Sequence, residues 1–328
     1  MGIKYLNRFL REQCESSIKM VSMSELSGKK IVVDISIYLF KYASEGTLIE
    51  NIYLMISIFH YYRIIPIFIF DGKPPSEKKN LIQKRREDRK AAEKEFNILK
   101  NQLIHNETID EEDKQEIQTQ MDLLKRQFIS VNKEQIEEVK NLIQSYGATY
   151  YDAPGEADEL CASLVIKNKV WACLSEDMDM FVYGCTRVIR YFSLLNHTAV
   201  LYDMKGILEQ LGVSQKELRE ICVLSGTDYN INADSNSKIS STLYTTLKIF
   251  KKYRRNRENE MIEFYDWIQQ NAECINDINL LYKINSMFDL SENTSYMIED
   301  FENKRISNGA IDKEKMKIIL RKEGFIYF

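Results

Sequence analysis

Three short apolar runs, each stopping at or just before an acidic residue, constrain this chain more than any other feature of its sequence. They are KIVVD at 30–34, IPIFIF at 65–70 followed by Asp71, and VWACL at 170–174 followed by Ser175-Glu176-Asp177-Met178-Asp179. Continuous apolar runs of this length, rich in β-branched and aromatic residues, read as strands buried on both faces of a parallel sheet. Helical patterns separate them, for example at 48–62 and 133–146. Such alternation predicts an α/β fold, a central, mostly parallel twisted sheet flanked by helices. In open sheets of this kind ligands bind outside the carboxyl ends of the strands, which is where Asp34, Asp71, Asp177 and Asp179 stand.

Three more acids share this kind of context. Glu156 and Asp158 follow Pro154-Gly155 at the start of a helix running through 160–165, and Asp228 follows a helical stretch at 217–224 and Ser225-Gly226. Each alone is compatible with a helix N-cap or a surface charge, and Glu156 with first-turn compensation of the helix dipole. Together they have an electrostatic consequence. One like-charge pair at ~4 Å and an effective dielectric near 20 costs about 4 kcal/mol, so a cluster needs cations to neutralise it. Ligand sets made only of oxygen suit Mg²⁺ or Mn²⁺. Two such ions about 4 Å apart serve in-line phosphoryl transfer. The residues therefore point to a metal-dependent enzyme acting on phosphodiesters.

The net charge of −4 argues weakly against a nucleic-acid partner, but the average conceals local asymmetry. Residues 73–94 are rich in Lys and Arg, and KIFKKYRRNR at 248–257 contains no acid. An acidic centre with basic flanks grips phosphates even in an acidic protein. The six cysteines show no C-x-x-C and no zinc spacing with His, which fits buried thiols in a reducing compartment. No run of ~18 apolar residues exists to span a membrane, and no secretory signal is evident.

Between Pro75 and Gly147 the chain has neither Gly nor Pro and favours helix, yet apolar residues are sparse over 76–104. It reads either as a solvated helical insertion or as a helical arch over the active site, with a bend in the polar stretch 105–113. Beyond Asp228 a polar segment precedes a helix at 239–253, and from 260 onward the helical patterns carry no chemical motif.

MGIKYLNRFL, VDISIY, FDGKPP, GEAD, EDMD and SGTDY, in that order over roughly 1–260, resemble the XPG/flap endonuclease family of structure-specific 5′ nucleases. The resemblance implies a PIN-like nuclease core. Its expected organisation is an N-terminal nuclease region with the start of the arch at 1–104 and the rest of the arch at 105–132. An internal nuclease region at 133–260 would contain a helix-turn-helix-like DNA-binding segment at about 229–257. A helical extension would occupy 261–328. The family's metal ligands fall on Asp34, Asp71, Glu156, Asp158, Asp177, Asp179 and Asp228. The first four would serve one Mg²⁺ and the last three lean towards a second, with Mn²⁺ as a substitute. Lys78 and Arg85 match arch residues that position the scissile phosphate. Seven residues is almost two helical turns, so both would lie on one helix face about 10 Å apart. Tyr38 matches an aromatic that stacks on a base, with a core role as the alternative, and Gly2 would place the amino terminus near the site.

Two departures from the family pattern stand out. No Gly occurs from Tyr229 to Arg257, where the family carries a Gly-rich, phosphate-binding and often K⁺-binding motif. Ser237, Ser240, Ser241, Lys238, Lys251 and Lys252 would have to supply that grip on DNA. The last Gln is Gln270, so no C-terminal Gln-led clamp-binding box exists, and the aromatic tail 325–328 is expected to dock on the protein's own core. The expected activity is divalent-metal-dependent hydrolysis of DNA at flaps or branched junctions in replication, repair or recombination, by a monomer with no membrane role. A 5′→3′ exonuclease on DNA or RNA and a catalytically silent junction-binding scaffold are the alternatives. The compartment, intracellular in either case, would be a nucleus or a cytoplasmic viral replication site, since the composition fits a large DNA virus or an AT-rich genome.

Overall fold

The computed structural model describes residues 3–105, 111–229, 242–256, 262–271, 277–290, 295–303, 306 and 308–325. Seven strands form one sheet: β1 (Ile18–Ser22), β2 (Lys30–Asp34), β3 (Ile65–Phe70), β4 (Thr149–Asp152), β5 (Ala172–Leu174), β6 (Arg187–Ser193) and β7 (Thr198–Asp203). Their order is β1-β7-β6-β5-β2-β3-β4. Pairings among β2–β6 are parallel, and β7 pairs antiparallel with β6 and β1. The predicted strands at 30–34 and 65–70 are found with those limits, and the third apolar run contributes β5. The antiparallel edge of β6, β7 and β1 is an addition to the sequence reading.

The helices are α1 (Leu6–Gln13), α2 (Ile35–Glu45), α3 (Leu48–Tyr61), α4 (Lys79–His105), α5 (Glu111–Phe128), α6 (Lys133–Ser145), α7 (Ala157–Ile166) and α8 (Asp179–Tyr183). They continue as α9 (Met204–Leu211), α10 (Gln215–Ser225), α11 (Leu243–Asn256), α12 (Phe264–Asn271), α13 (Ile278–Met287), α14 (Ser295–Glu302) and α15 (Lys313–Lys322). Both faces of the sheet are covered, as side-chain alternation along each strand requires. Ile31, Val33, Phe68, Phe70 and Leu174 pack in one layer with α2, α3, α6 and α15. Val32, Ile67, Ile69, Cys173 and Val188 pack in the other with α1, α7, α8 and α10–α14.

The chain runs from β2 outward through β3 to β4, then crosses to β5 on the other side of β2. The crevice between the carboxyl ends of β2 and β5 is thus a topological switch point, where open α/β sheets place their ligands. The long helices α4 and α5 pack side by side with Phe96 and Phe128 ring centroids 5.3 Å apart, and Arg85 of α4 reaches Asp228 at the crevice. α4 ends at His105 and α5 begins at Glu111, so the two ends of the expected bend at 105–113 are helical, while 106–110 lie outside the described residues. The C-terminal segment returns to the α2/α3/α6 layer: Gly309 N donates to Gly147 O at 2.8 Å and Asp312 N to Ser145 O at 2.7 Å. Phe325 docks with its ring 5.6 Å from Tyr53, as expected for the start of the aromatic tail. No helix among the described residues is long and apolar enough to cross a membrane.

Candidate active site

Every one of the seven carboxylates lies at an element boundary around the switch point. Asp34 closes β2 and caps α2: Oδ1 accepts from Ser36 N at 3.3 Å, and Oδ2 accepts from the buried Ser175 hydroxyl at 2.9 Å. Burial, reinforced by Asp71 and Asp177 against the Ser175 hydrogen bond, pushes Asp34 up to about 7. Asp71 follows β3, and its Oδ1 accepts from Ala157 N at 2.9 Å, tying the β3 end to the first turn of α7. That approach requires glycine at 72: a Cβ there would lie 1.9 Å from the Ala153 carbonyl oxygen. Glu156 occupies the N-cap position of α7, and Asp158 lies in its first turn. Asp177 accepts from Asp179 N at 3.0 Å through Oδ1, while its own N–H donates to Ser175 Oγ at 3.1 Å.

Burial raises Asp158 well above the carboxylate range, with Glu156, Asp177 and Asp179 adding to the effect and Lys78 opposing it. Asp179 is raised by burial and then by Asp177 and Asp228, and its Oδ1 is buried without a hydrogen-bond partner. Unpaired buried carboxylates are costly, and an oxygen-only donor set with this excess of negative charge fits a hard divalent cation. Among the described residues no group of three or more His, Cys, Asp or Glu side chains is arranged to hold an ion as the side chains stand. Two of the carboxylates instead face cations at the start of α4 and just before it.

Those cations are Lys78 and Arg85. Lys78 Nζ donates to Glu156 Oε1 at 2.7 Å and lies 2.7 Å from Oε2. Burial disfavours its charge, but Asp158, Tyr229 and Glu156 outweigh burial and its pKa is raised. Arg85 donates from Nη2 to Asp228 Oδ2 at 2.7 Å. Both reach the same crevice, though not from one helix: Lys78 ends a 3₁₀ turn (Ser76–Lys78) just before α4 begins. Tyr229, missed in the sequence, donates to Glu156 Oε2 at 3.1 Å and lies under Lys78, 4.9 Å from Nζ to ring centroid.

The base-stacking role expected of Tyr38 is corrected by its position. Tyr38 is 1% exposed, packs in the α2/α3 layer beside Tyr42 and offers no ring face to a ligand. Phe40 is 43% exposed, carries the Arg89 guanidinium 5.6 Å above its ring, and lines a cavity of about 450 Å³ with Asp71, Phe70 and Lys140. Lys251 and Lys252 are exposed on α11, which begins at Leu243, later than 239. Gly2, Lys238, Ser237, Ser240 and Ser241 lie outside the described residues.

Residues 1–92 match the family model of the XPG N-terminal domain and residues 147–228 that of the XPG I-region. The chain is 33% identical over 247 residues to flap endonuclease 1 of Nematostella vectensis, a match covering 70% of this chain and 62% of that protein. It thus spans about three fifths of the length of such curated relatives. The fold resembles the catalytic core of Rad2 in complex with DNA substrate, with a TM-score of 0.64 and 21% identity over 99% of this chain and 95% of that one. It also resembles human GEN1 in complex with Holliday junction DNA, with a TM-score of 0.64 and 19% identity over 99% and 74% of the two chains. The motifs that flank the switch point fall inside both matched regions, and the chain belongs to the XPG/flap endonuclease family.

Proposed function

We propose that this protein is a structure-specific 5′ nuclease that hydrolyses DNA phosphodiesters at single-strand/duplex junctions with two Mg²⁺ ions. The observation that carries the reading is the pairing of Lys78 with Glu156 and of Arg85 with Asp228. It sets the cationic base of the arch directly against a crowded acidic crevice, the two faces a scissile phosphate needs.

Asp34, Asp71, Glu156 and Asp158 would hold one ion, and Asp177, Asp179 and Asp228 the other, partly through water. Bound there, two divalent ions neutralise the carboxylates and stabilise charge on the attacking and leaving oxygens. The protein's own groups do the rest. Lys78 and Arg85 exchange their carboxylate partners for the phosphate and hold it in place, and preorganised cations of this kind contribute several kcal/mol in a transition state. Ser175 orients Asp34 and the Asp177 backbone together. Tyr229 steadies Glu156 and Lys78 when their mutual contact opens. The Phe40 ring offers a stacking surface beside the cut, and Lys251 and Lys252 bind the duplex backbone at a distance. Hydrolysis leaves 5′-phosphate and 3′-hydroxyl ends.

The test is cleavage of 5′-labelled double flap, nicked duplex, four-way junction, single-stranded DNA and single-stranded RNA in Mg²⁺. A cut at the flap base that disappears with EDTA and in Asp179→Ala is expected. Stepwise release of nucleotides from ends would move the assignment to an exonuclease. Tight junction binding with no metal-dependent cleavage would mark a scaffold.

A further inference from the structure

The loop from Ser175 to Met178 must present Asp177 and Asp179 to the crevice, and on the Asp34 side the Ser175 hydroxyl anchors it. A second anchor grips the opposite side. Arg190, on β6, is 6% exposed, and its guanidinium reaches this loop from behind. Nη2 donates to the Glu176 carbonyl oxygen at 2.9 Å, and Nη1 donates to Met178 Sδ at 2.8 Å and to Asn7 Oδ1 at 2.9 Å. Nε forms an ion pair with Glu176 Oε2 at 3.4 Å without a hydrogen bond. In Glu176-Asp177-Met178-Asp179 alternate side chains thus part company. Glu176 and Met178 turn to Arg190, while Asp177 and Asp179 turn to the crevice.

The surroundings hold the guanidinium in that pose. Asn7 Oδ1 also accepts from Tyr202 OH at 2.8 Å, and Asn7 Nδ2 donates to Tyr191 OH at 2.8 Å. The guanidinium lies 5.0 Å from the Tyr191 ring centroid and 5.8 Å from that of Tyr202. The backbone is shaped for the contact. Register slips between Arg190 and Ser193, and Tyr191 takes the left-handed φ of 56°, from which its N–H donates to Glu176 Oε1 at 2.5 Å. Bulges of this kind re-aim side chains beside active sites, and a non-glycine residue at positive φ persists only where its surroundings enforce it.

We infer that Arg190, braced by Asn7 and the β6 bulge, is the positioning residue that sets Asp177 and Asp179 for metal binding, and so couples α1 to the metal centre. Arginine is required because one rigid fork must donate to a backbone carbonyl and an amide oxygen while keeping its charge against the Glu176 carboxylate. A lysine ammonium on a flexible stem cannot hold all three. The inference rests on the nuclease reading above.

The experiment is calorimetric titration of the full chain with Mn²⁺ in the absence of DNA, for wild type, Arg190→Lys, Arg190→Met and Asn7→Ala, each first checked by circular dichroism. Loss of outer partners of metal ligands weakens metal affinity by about 10- to 100-fold, and that loss is expected for both Arg190 variants, with a smaller one for Asn7→Ala. In flap cleavage the same variants should lose kcat at saturating DNA while KM for DNA is unchanged, with partial recovery at high Mn²⁺. If Arg190→Met fails to fold, Arg190→Lys and Asn7→Ala still decide. Folded Arg190→Lys with wild-type Mn²⁺ affinity overturns the inference and leaves the nuclease reading intact. Wild type that binds no Mn²⁺ overturns the nuclease reading, and this inference with it.

Discussion

Replacing Asp34 by Asn should make the metal-free protein more stable while destroying its activity. Asp34 is 5% exposed and held at about 7 in place of 3.8, first by burial and then by Asp71 and Asp177. A carboxyl whose folded pKa is raised binds its proton more tightly in the native state. The resulting burden is absent below the unfolded value, grows as pH rises from 3.8, and is complete above about 7. At about 1.4 kcal/mol per pH unit of difference the full burden is about 4 kcal/mol. Asn keeps one acceptor for Ser36 N and can donate to Ser175 Oγ, so the cap and the buried contact survive in altered form, and a net gain of about 2–4 kcal/mol at pH 8 is expected. At pH 5 the gain should be smaller by about 2–3 kcal/mol, because the native carboxyl is already protonated. Urea denaturation in EDTA at both pH values measures this, and Mg²⁺ added to wild type should recover part of the same stability. An Asp34→Asn protein that is less stable than wild type at pH 8 in EDTA, or whose advantage does not depend on pH, would refute the reasoning that these carboxylates are strained without cations.

Other substitutions separate neighbouring roles. Phe40→Ala should weaken junction binding by about 1–3 kcal/mol, the worth of a base–aromatic stack, whereas Tyr38→Phe should leave binding unchanged and, by removing a buried hydroxyl with no partner, leave stability equal or higher; fluorescence anisotropy and thermal melts compare the two. Arg85→Ala should lower kcat by roughly 10²-fold yet tighten Mg²⁺ binding to the DNA-free protein, since Asp228 loses its competing cation, and calorimetry beside single-turnover cleavage reads both. Gly147 holds a φ of +72°, and a Cβ there would lie 2.6 Å from the Gly309 carbonyl. Gly147→Ala should therefore cost about 1–3 kcal/mol in denaturant melts and expose the α15 segment to proteolysis.

The sheet core was legible because strands buried on both faces leave unbroken apolar runs, and the acids that end them mark the carboxyl edge. The antiparallel edge was not, since Tyr191 and Arg190 break the β6 pattern through a bulge that only tertiary contacts explain. For Tyr38 the sequence left base stacking and a core role open, and its burial decides for the core, a signal that was present. Ile35, Tyr38, Leu39 and Tyr42 form the buried stripe of α2 at helical spacing, and Phe40 falls off that stripe, towards the arch. Lys78 and Arg85 pair with Glu156 and Asp228, but a helix-face argument could not foresee that Lys78 precedes the helix in a 3₁₀ turn. Tyr229 and Arg190 act through residues distant in sequence from their own, and no spacing rule would have found them.

A two-metal centre built from the seven carboxylates at the switch point requires Lys78 and Arg85 to leave Glu156 and Asp228 when the ions bind. Anomalous diffraction from crystals grown with Mn²⁺ tests it most directly. Two anomalous peaks are expected, one among Asp34, Asp71, Glu156 and Asp158 and one among Asp177, Asp179 and Asp228, with Lys78 and Arg85 swung away from Glu156 and Asp228. Crystals at saturating Mn²⁺ with no anomalous peak in the crevice and both ion pairs intact would contradict it.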